Sequence, residues 1–479
     1  MIHGKYHEIL YLWRGGGGNG QVIMRIIDFL NRSEGLNNTY EVVDDSNEKT
    51  SLETLCHKIK NDTNSLVLVA SVVHQAAMIA KMKKLKIKHF VDGIAFMGKA
   101  LNKWFKEHYS TYKKVIFLLD DVGLKHFGKI DILLKEKDYK VFYFFFEHKT
   151  QLQNDFMRLN GDSFIITEDF LKYFDFCYLM IGTSMHYCFA NNVKYFRLLA
   201  SYDIPFYHSR YHTIEQITRH LCEYSVGSHL GFYFAVQNKK SLNELKSIPG
   251  IRKECLLEVG YPSLDNLVKE YESFNSHLKQ DTIICLSRFN KKGFRRFLLE
   301  RMNEVIDFLL GRGYRVCYKV NPHYNYELQK ENAARWNNFD NFIFFEEASL
   351  SLEELFRSIT IVDFSASMLY TYPLITKKPA IMLGSFQKWF AEEKGIFLNE
   401  DNFYDERLHI WANNNCELEE IILALQNNKD FSNLRGKMIR DYILNETFAW
   451  GHSSEKIVET IDTYIENFNN MDLVYEINS

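Results

Sequence analysis

Short apolar runs alternate with amphipathic stretches along most of this chain, and that alternation limits its fold more than any other feature. In the first half, Glu8–Trp13, Tyr40–Val43, Leu66–Ala70, His89–Val91, Val115–Leu119, Val141–Phe146, Ser163–Ile166, Tyr178–Ile181 and Ile204–Tyr207 read as strands. Helical patterns separate them at Val22–Asn31, Leu52–Lys60, Val73–Leu85 and Phe127–Lys135. A second series runs through the strands Thr282–Leu286, Arg315–Val320, Asn341–Phe345, Ile359–Val362 and Ala380–Leu383, with a long helix at Phe294–Arg312 that stops at Gly313. Strand and helix in alternation build parallel sheets covered by helices, so the expected class is α/β. The polar, aperiodic stretch Tyr271–Gln280 divides the two series. The expected organisation is a first lobe over residues 1–275 with an extra subdomain at 1–110, a second lobe over 276–445, and a closing helical segment over 446–479.

At 479 residues the chain exceeds what one core usually serves, and its 46% hydrophobic content is ample for globular packing. A net charge of -3 gives no basic footprint for nucleic acid. The eight cysteines form no CxxC pair, which fits buried reduced thiols of a cytoplasmic protein. No zinc site is expected, and no cofactor beyond a loosely held divalent cation. The N-terminus lacks a signal-peptide pattern, and no run has the roughly 18 apolar residues of a membrane helix. Lys99–Lys114 mixes lysines with Trp104, Phe105, Tyr109 and Tyr112. It reads as a helix on an anionic membrane surface or, more commonly, as a solvated helix with a core-facing Trp.

Several segments could carry chemistry. The strand ending at Asp363 runs into Phe364-Ser365-Ala366-Ser367, which opens a helix. Helix N-termini present free N–H groups and the positive end of the dipole, so the backbone there with Ser365 and Ser367 suits phosphate; a plain helix cap is the simpler alternative. Lys319, Asn321 and His323 follow another strand and could meet a diphosphate, and Arg288 follows a third. His208, after Ile204–Tyr207, suits a general base or an interior histidine. Gly260-Tyr261-Pro262-Ser263-Leu264-Asp265 reads as a turn at the lobe junction, and Gly451-His452-Ser453-Ser454 opens the last helix. In Arg14–Gly20, Gly16, Gly17 and Asn19 follow a strand and open a helix, without the Gly-Lys-Ser/Thr ending of a P-loop.

Taken in order, Tyr207-His208-Ser209, Gly260 to Asp265, Asn321-Pro322, Asp363 to Ser367 with Lys378-Pro379, and Gly451 to Ser454 resemble the CDP-glycerol glycerophosphotransferase family, which builds teichoic-acid-like polymers on a GT-B fold. The resemblance covers residues 200–465. Where that family has Trp-His-Gly, His-Pro and Asp-Tyr-Ser-Ser, this chain has Tyr-His-Ser, Asn-Pro and Asp-Phe-Ser-Ala-Ser. It implies two Rossmann-like lobes facing a cleft, with the C-terminal helices crossing back. His208 and His323 would be catalytic. Arg288, Lys319, Asn321, Asp363, Ser365, Ser367 and Ser453 would hold a cytidine-nucleotide donor. Gly16, Gly17 and Asn19 would line the side of a glycan or lipid-linked acceptor. Three alternatives stay open: a transferase of CMP-activated acidic sugars, a non-catalytic partner in polysaccharide assembly, and an epimerase of nucleotide sugars on the same fold, which would turn over donor without an acceptor.

Overall fold

The computed structural model describes residues 9–13, 18–62, 64–119, 126–146, 163–177, 179–182, 194–198, 232–247, 253–274, 277–286, 294–321, 325–346, 350–364, 366–384 and 405–463. These residues form three sheets, and every strand pair in them is parallel. The first unit runs β1 (Ile9–Trp13), α1 (Gly18–Glu34), β2 (Thr39–Val43), α2 (Leu52–Asn61), β3 (Ser65–Val69), α3 (Gln75–Lys84), β4 (Phe90–Asp92) and α4 (Gly93–His108). Its sheet has the order β2-β1-β3-β4.

The chain continues through β5 (Lys113–Leu119), α5 (Ile130–Glu136), β6 (Tyr139–Phe146), β7 (Ser163–Ile166), α6 (Glu168–Leu171), β8 (Leu179–Gly182), β9 (Lys194–Leu198), β10 (Phe232–Val236), α7 (Lys239–Ser247) and β11 (Leu256–Glu258). These strands make a seven-stranded sheet in the order β11-β10-β9-β8-β5-β6-β7. After α8 (Asp265–Ser273) come β12 (Thr282–Leu286), α9 (Phe294–Gly311), β13 (Arg315–Lys319), α10 (Tyr326–Ala333), β14 (Phe342–Phe345), α11 (Leu352–Arg357), β15 (Ser358–Asp363), α12 (Ser367–Thr376), β16 (Ala380–Leu383) and β17 (His409–Ala412). They form a six-stranded sheet in the order β14-β13-β12-β15-β16-β17. Helices α13 (Asn415–Asn427), α14 (Lys429–Glu446) and α15 (453–463) follow.

Side chains of a strand alternate between faces, and here the alternation separates the cores cleanly. Leu10, Leu12, Leu66 and Leu68 face α1 and α4, while Tyr11, Trp13, Val67 and Val69 face α2 and α3. Ile116, Leu118, Phe142 and Phe144 of β5 and β6 join the same cluster as α1 and α4. The two helices are therefore one layer shared by two sheets, and the first unit buries one side of its sheet only by docking on the second. Burial on both faces explains why β5 and β6 read as continuous apolar runs.

The opposite face of the seven-stranded sheet packs α5 and, from far along the chain, Ile457, Val458 and Ile461 of α15. The C-terminal helix thus crosses back to the first lobe. Leu264 and Val268, at the start of α8, already belong to a core of the six-stranded lobe with Tyr372, Ile439 and Tyr442.

The Lys99–Lys114 segment turns Trp104, Phe105 and Tyr109 inward. Phe105 is fully buried, Trp104 meets Phe29 edge-on at 4.7 Å and stacks on His108, and Tyr109 packs against Phe142. Lys99, Lys106, Glu107 and His108 are the exposed side of this helix, while beyond its end Tyr112 is exposed and Lys114 is buried. Among the described residues no helix is long and apolar enough to cross a membrane.

His409, at the start of β17, links this fold to pH. It is buried: its Nδ1 accepts from the Asp405 amide at 3.0 Å and its Nε2 donates to the Leu369 carbonyl at 3.1 Å. Burial pushes its pKa down from 6.5 to about 4, against the opposing pull of the Leu369 carbonyl and Asp405. A base with a depressed folded pKa stays neutral while the unfolded chain protonates. Its contribution to stability is therefore complete above about pH 6.5 and is lost as pH falls toward 4, on the order of 3 kcal/mol in all. Urea unfolding between pH 7 and pH 4.5 should show this slope in the wild type and a shallower one in His409→Gln; equal slopes would refute it.

Candidate functional site

In open α/β sheets ligands bind outside the carboxyl ends of the strands. In the six-stranded lobe that edge is built by three neighbouring strands. Lys319 is level with Leu286 across β13 and β12, and Val362 is level with Cys285 across β15 and β12, so Asp363 lies at the height of Lys319 one strand further on. Alternation places Lys319, Leu286 and Asp363 on one face of the sheet, the face of Cys317 and Ile361. Lys319 and Asp363 are both buried, and Lys319 Nζ donates to the Val320 carbonyl at 3.0 Å.

The turn after β13 is pinned by a residue the sequence does not single out. Gln329, fully buried on α10, accepts from the Asn321 amide at 2.8 Å and donates to the Asn321 carbonyl at 2.9 Å. After β15 the chain buries Phe364 and enters α12 through Ala366, which is extended (φ -87, ψ 151) and gives the helix no side-chain cap. The first N–H groups of α12 therefore open toward the same edge as Lys319 and Asp363. Ser367 starts α12. Arg288, His323 and Ser365 lie outside the described residues, as do His208, Gly16 and Gly17.

Lys378 of the Lys-Pro pair sits at the opposite, amino edge of the sheet. Its ammonium donates to the carbonyls of Phe356 at 3.0 Å and Ser358 at 2.5 Å, closing the end of α11. Enclosure pushes its pKa down to about 7.

The two remaining motifs meet each other. Asp265 accepts hydrogen bonds from the Ser453 amide at 3.1 Å, the Ser454 amide at 2.7 Å and the Ser454 hydroxyl at 2.7 Å. It thereby caps α15 from the start of α8, 188 residues away in sequence from Ser453. Ser454 Oγ also accepts from the Lys129 amide at 3.2 Å, and Ser453 Oγ donates to the Ala449 carbonyl at 3.1 Å. Asp265, Ser453 and Ser454 are all buried. Ser453 is thus placed in the joint between the lobes.

A second edge site lies in the first unit. A cavity of about 620 Å³ opens at the carboxyl ends of β1, β2 and β3, lined by Gly18, Asn19, Asp44, Ser71, Val73 and Asp169 among others. Asn19 Nδ2 donates to Asp169 at 2.7 Å and its Oδ1 accepts from the Thr167 hydroxyl, so the start of α1 is tied to the turn after β7. Asp45 accepts from Lys81 at 2.8 Å and from the Leu52 amide at 3.0 Å. Desolvation pushes its pKa up, but these donors and the neighbouring Trp13 indole carry it below the usual value. Asp44, Asp45 and Asp169 stand in no motif of the sequence, although Asp44 directly follows β2. Among the described residues no cluster of His, Cys, Asp and Glu could hold a metal.

No protein-family model and no curated protein matches the sequence. Among solved structures, a UDP-N-acetylglucosamine 2-epimerase homologue from Listeria monocytogenes, described as putative, matches with a TM-score of 0.54 at 11% identity, over 74% of this chain and 97% of that one. An S. aureus MnaA–UDP complex matches with a TM-score of 0.52 at 14% identity, over 74% and 97%. The wall teichoic acid polymerase TagF matches over 82% and 98% at 14% identity, with a TM-score of 0.49. The fold is of the GT-B type. The six-stranded edge and the seven-stranded sheet that carries α15 are the two Rossmann-like halves of that fold, and the Asp265–Ser454 joint ties them. Such a scaffold fixes where a ligand sits and leaves the chemistry to the side chains there.

Proposed function

We propose that the protein transfers a glycerophosphate, polyol-phosphate or sugar unit from a cytidine-nucleotide donor to a hydroxyl of a bacterial surface glycan. The observation that carries this reading is the uncapped start of α12 beside buried Lys319 and Asp363 at one strand edge. Donor phosphates bind there, against the α12 amides and the Ser365 and Ser367 hydroxyls. Lys319, with Asn321, His323 and Arg288, offsets the charge that grows on the departing nucleotide. His208 accepts the acceptor proton as the acceptor oxygen attacks the donor; for a CDP-glycerol-like donor the new bond is to the distal phosphorus and CMP leaves. The acceptor enters from the side of Gly16, Gly17 and Asn19.

A thermal-shift series with CMP, CDP, UDP, GDP and ADP tests the donor. A nucleotide at about 100 times its Kd adds roughly 2.7 kcal/mol of stability. Shifts by CDP or CMP alone, weakened in Lys319→Met and Ser365→Ala, support the reading. A shift by UDP alone overturns the cytidine donor in favour of the UDP-sugar chemistry named for the epimerase neighbours. No shift with any nucleotide overturns the transferase reading in favour of a non-catalytic assembly partner.

A further inference from the structure

We propose that Gln329 is a positioning residue of the donor site: through the Val320–Asn321 peptide it aims the Lys319 ammonium at the donor phosphates. The inference rests on the donor half of the proposed function and adds to it a residue that acts through the backbone.

A fully buried glutamine needs a physical account. An amide side chain loses its water on burial, which costs free energy unless both of its ends find partners. Gln329 is 0% exposed, and both ends go to one backbone residue. Its Oε1 accepts from the Asn321 amide at 2.8 Å and its Nε2 donates to the Asn321 carbonyl at 2.9 Å. This pairing reproduces what a neighbouring strand would offer. It begins where the ladder stops: the Val320 amide still donates to the Phe345 carbonyl at the end of β14 at 3.0 Å, and Asn321 is the next residue. Nε2 also reaches the Asn325 carbonyl at 3.4 Å, so one side chain holds both ends of the turn into α10.

The peptide that Gln329 grips leads to Lys319. The Asn321 amide and the Val320 carbonyl belong to the same peptide unit, and that carbonyl accepts from Lys319 Nζ at 3.0 Å. The unit is planar with its N–H and C=O directed oppositely, so fixing one fixes the other. Gln329 on one side and the ammonium on the other are therefore set by a single rotation. Lys319 is buried at the height of Asp363, along the edge onto which the first amides of α12 open. Turning the peptide there would move the cation against any phosphate held at α12, and misplacement by about 1 Å is enough to matter.

Gln329 can set this position because its helix is anchored from behind. Asn332 of α10 and Asn303 of α9 exchange side-chain hydrogen bonds at 3.0 and 3.1 Å, and just past α10 the Trp336 indole donates to Asp307 at 2.6 Å. Ala333 and Trp336 join Met302 and Ile306 in one core. The helix is thus a fixed post, and Gln329 links it to the strand edge.

A double-mutant cycle read by calorimetric titration of CDP into the full chain tests this, with UDP as the second probe. Gln329→Met keeps the shape and removes the hydrogen bonds. It should weaken CDP binding about 3–10-fold in the wild-type background but less than about twofold beside Lys319→Met, where the group it aims is already gone. Asn332→Ala, which loosens the same helix without touching the turn, should lower Tm and leave CDP affinity unchanged. If Gln329→Met does not fold, Gln329→Glu takes its place: a carboxylic acid can donate to the Asn321 carbonyl and a carboxylate cannot, so its affinity relative to wild type should fall as pH rises from about 5 to about 8. Equal losses in the two backgrounds, a loss in Asn332→Ala matching that of Gln329→Met, or a pH-independent ratio for Gln329→Glu would overturn the proposal. If only UDP binds, the cytidine donor falls and the same cycle, read with UDP, decides the role of Gln329. A wild type that binds neither nucleotide, or Lys319→Met binding as tightly as wild type, overturns the donor reading and the positioning role with it.

Discussion

Replacing Gly260 with alanine should destabilise the protein by about 3 kcal/mol or more, far beyond the cost of the same change at Gly313. Both glycines have positive φ, +81° and +80°, where a side chain costs about 1–2 kcal/mol. The sites differ in what surrounds them. A Cβ at Gly260 would stand 2.3 Å from the Phe448 carbonyl oxygen and 2.3 Å from Ser453 Oγ, whereas at Gly313 nothing lies within 4 Å. The serine hydroxyl can rotate away; the Phe448 carbonyl cannot, because the Phe448 amide is bonded to the Gln237 carbonyl at 2.9 Å. Relief requires the joint to open, at the roughly 1–3 kcal/mol typical of overpacking on top of the backbone term. Gly128→Ala belongs to the same class, with φ +54° and a Cβ 2.3 Å from the Pro262 carbonyl oxygen. Thermal and urea unfolding of the three variants decide it. Equal losses at Gly260 and Gly313 would mean that the joint is not tightly packed.

That joint shows what the sequence can and cannot convey. Gly260-x-Pro-x-x-Asp and Gly-His-Ser-Ser stand out as motifs, yet nothing in either says that they touch. Their contact is a property of the path of α15, which returns to the seven-stranded sheet through Ile457, Val458 and Ile461. The α/β class was legible because Leu66–Ala70, Val115–Leu119 and Val141–Phe146 are buried on both faces and so stay apolar throughout. Strands β9, β10, β11 and β17 are not evident in the sequence. Three-residue β11 and four-residue β17, His409–Ala412, are too short for a period-2 pattern to register. Helix α1 starts at Gly18 rather than Val22 because Gly18-Asn19-Gly20 forms its first turn, against the helix propensity of glycine, with Asn19 held by Thr167 and Asp169. Gln329 was invisible for another reason: a helical glutamine reads as surface until the fold buries it beside Asn321.

Replacing His208 with alanine should lower turnover by roughly 10²–10⁴, the contribution of a positioned general base, while nucleotide binding is kept. The expectation rests on a division of labour between the lobes. Lys319, Asp363 and the first amides of α12 lie at one strand edge, and under the proposed function these groups, not His208, hold the nucleotide. Under the same proposal His208 acts only on the acceptor hydroxyl. Loss of His208 should therefore reduce kcat and flatten the acidic limb of the pH–rate profile, because the group whose deprotonation that limb reports is gone. Lys319→Met should do the converse: nucleotide affinity falls by about 10–100-fold, as for a lost hydrogen bond to a charged group, and the pH profile keeps its shape. The two variants are informative only as a pair. If His208→Ala weakens nucleotide binding as much as Lys319→Met does, His208 belongs to the donor side and the proton must go elsewhere. If it changes neither binding nor rate, the acceptor is deprotonated by another group.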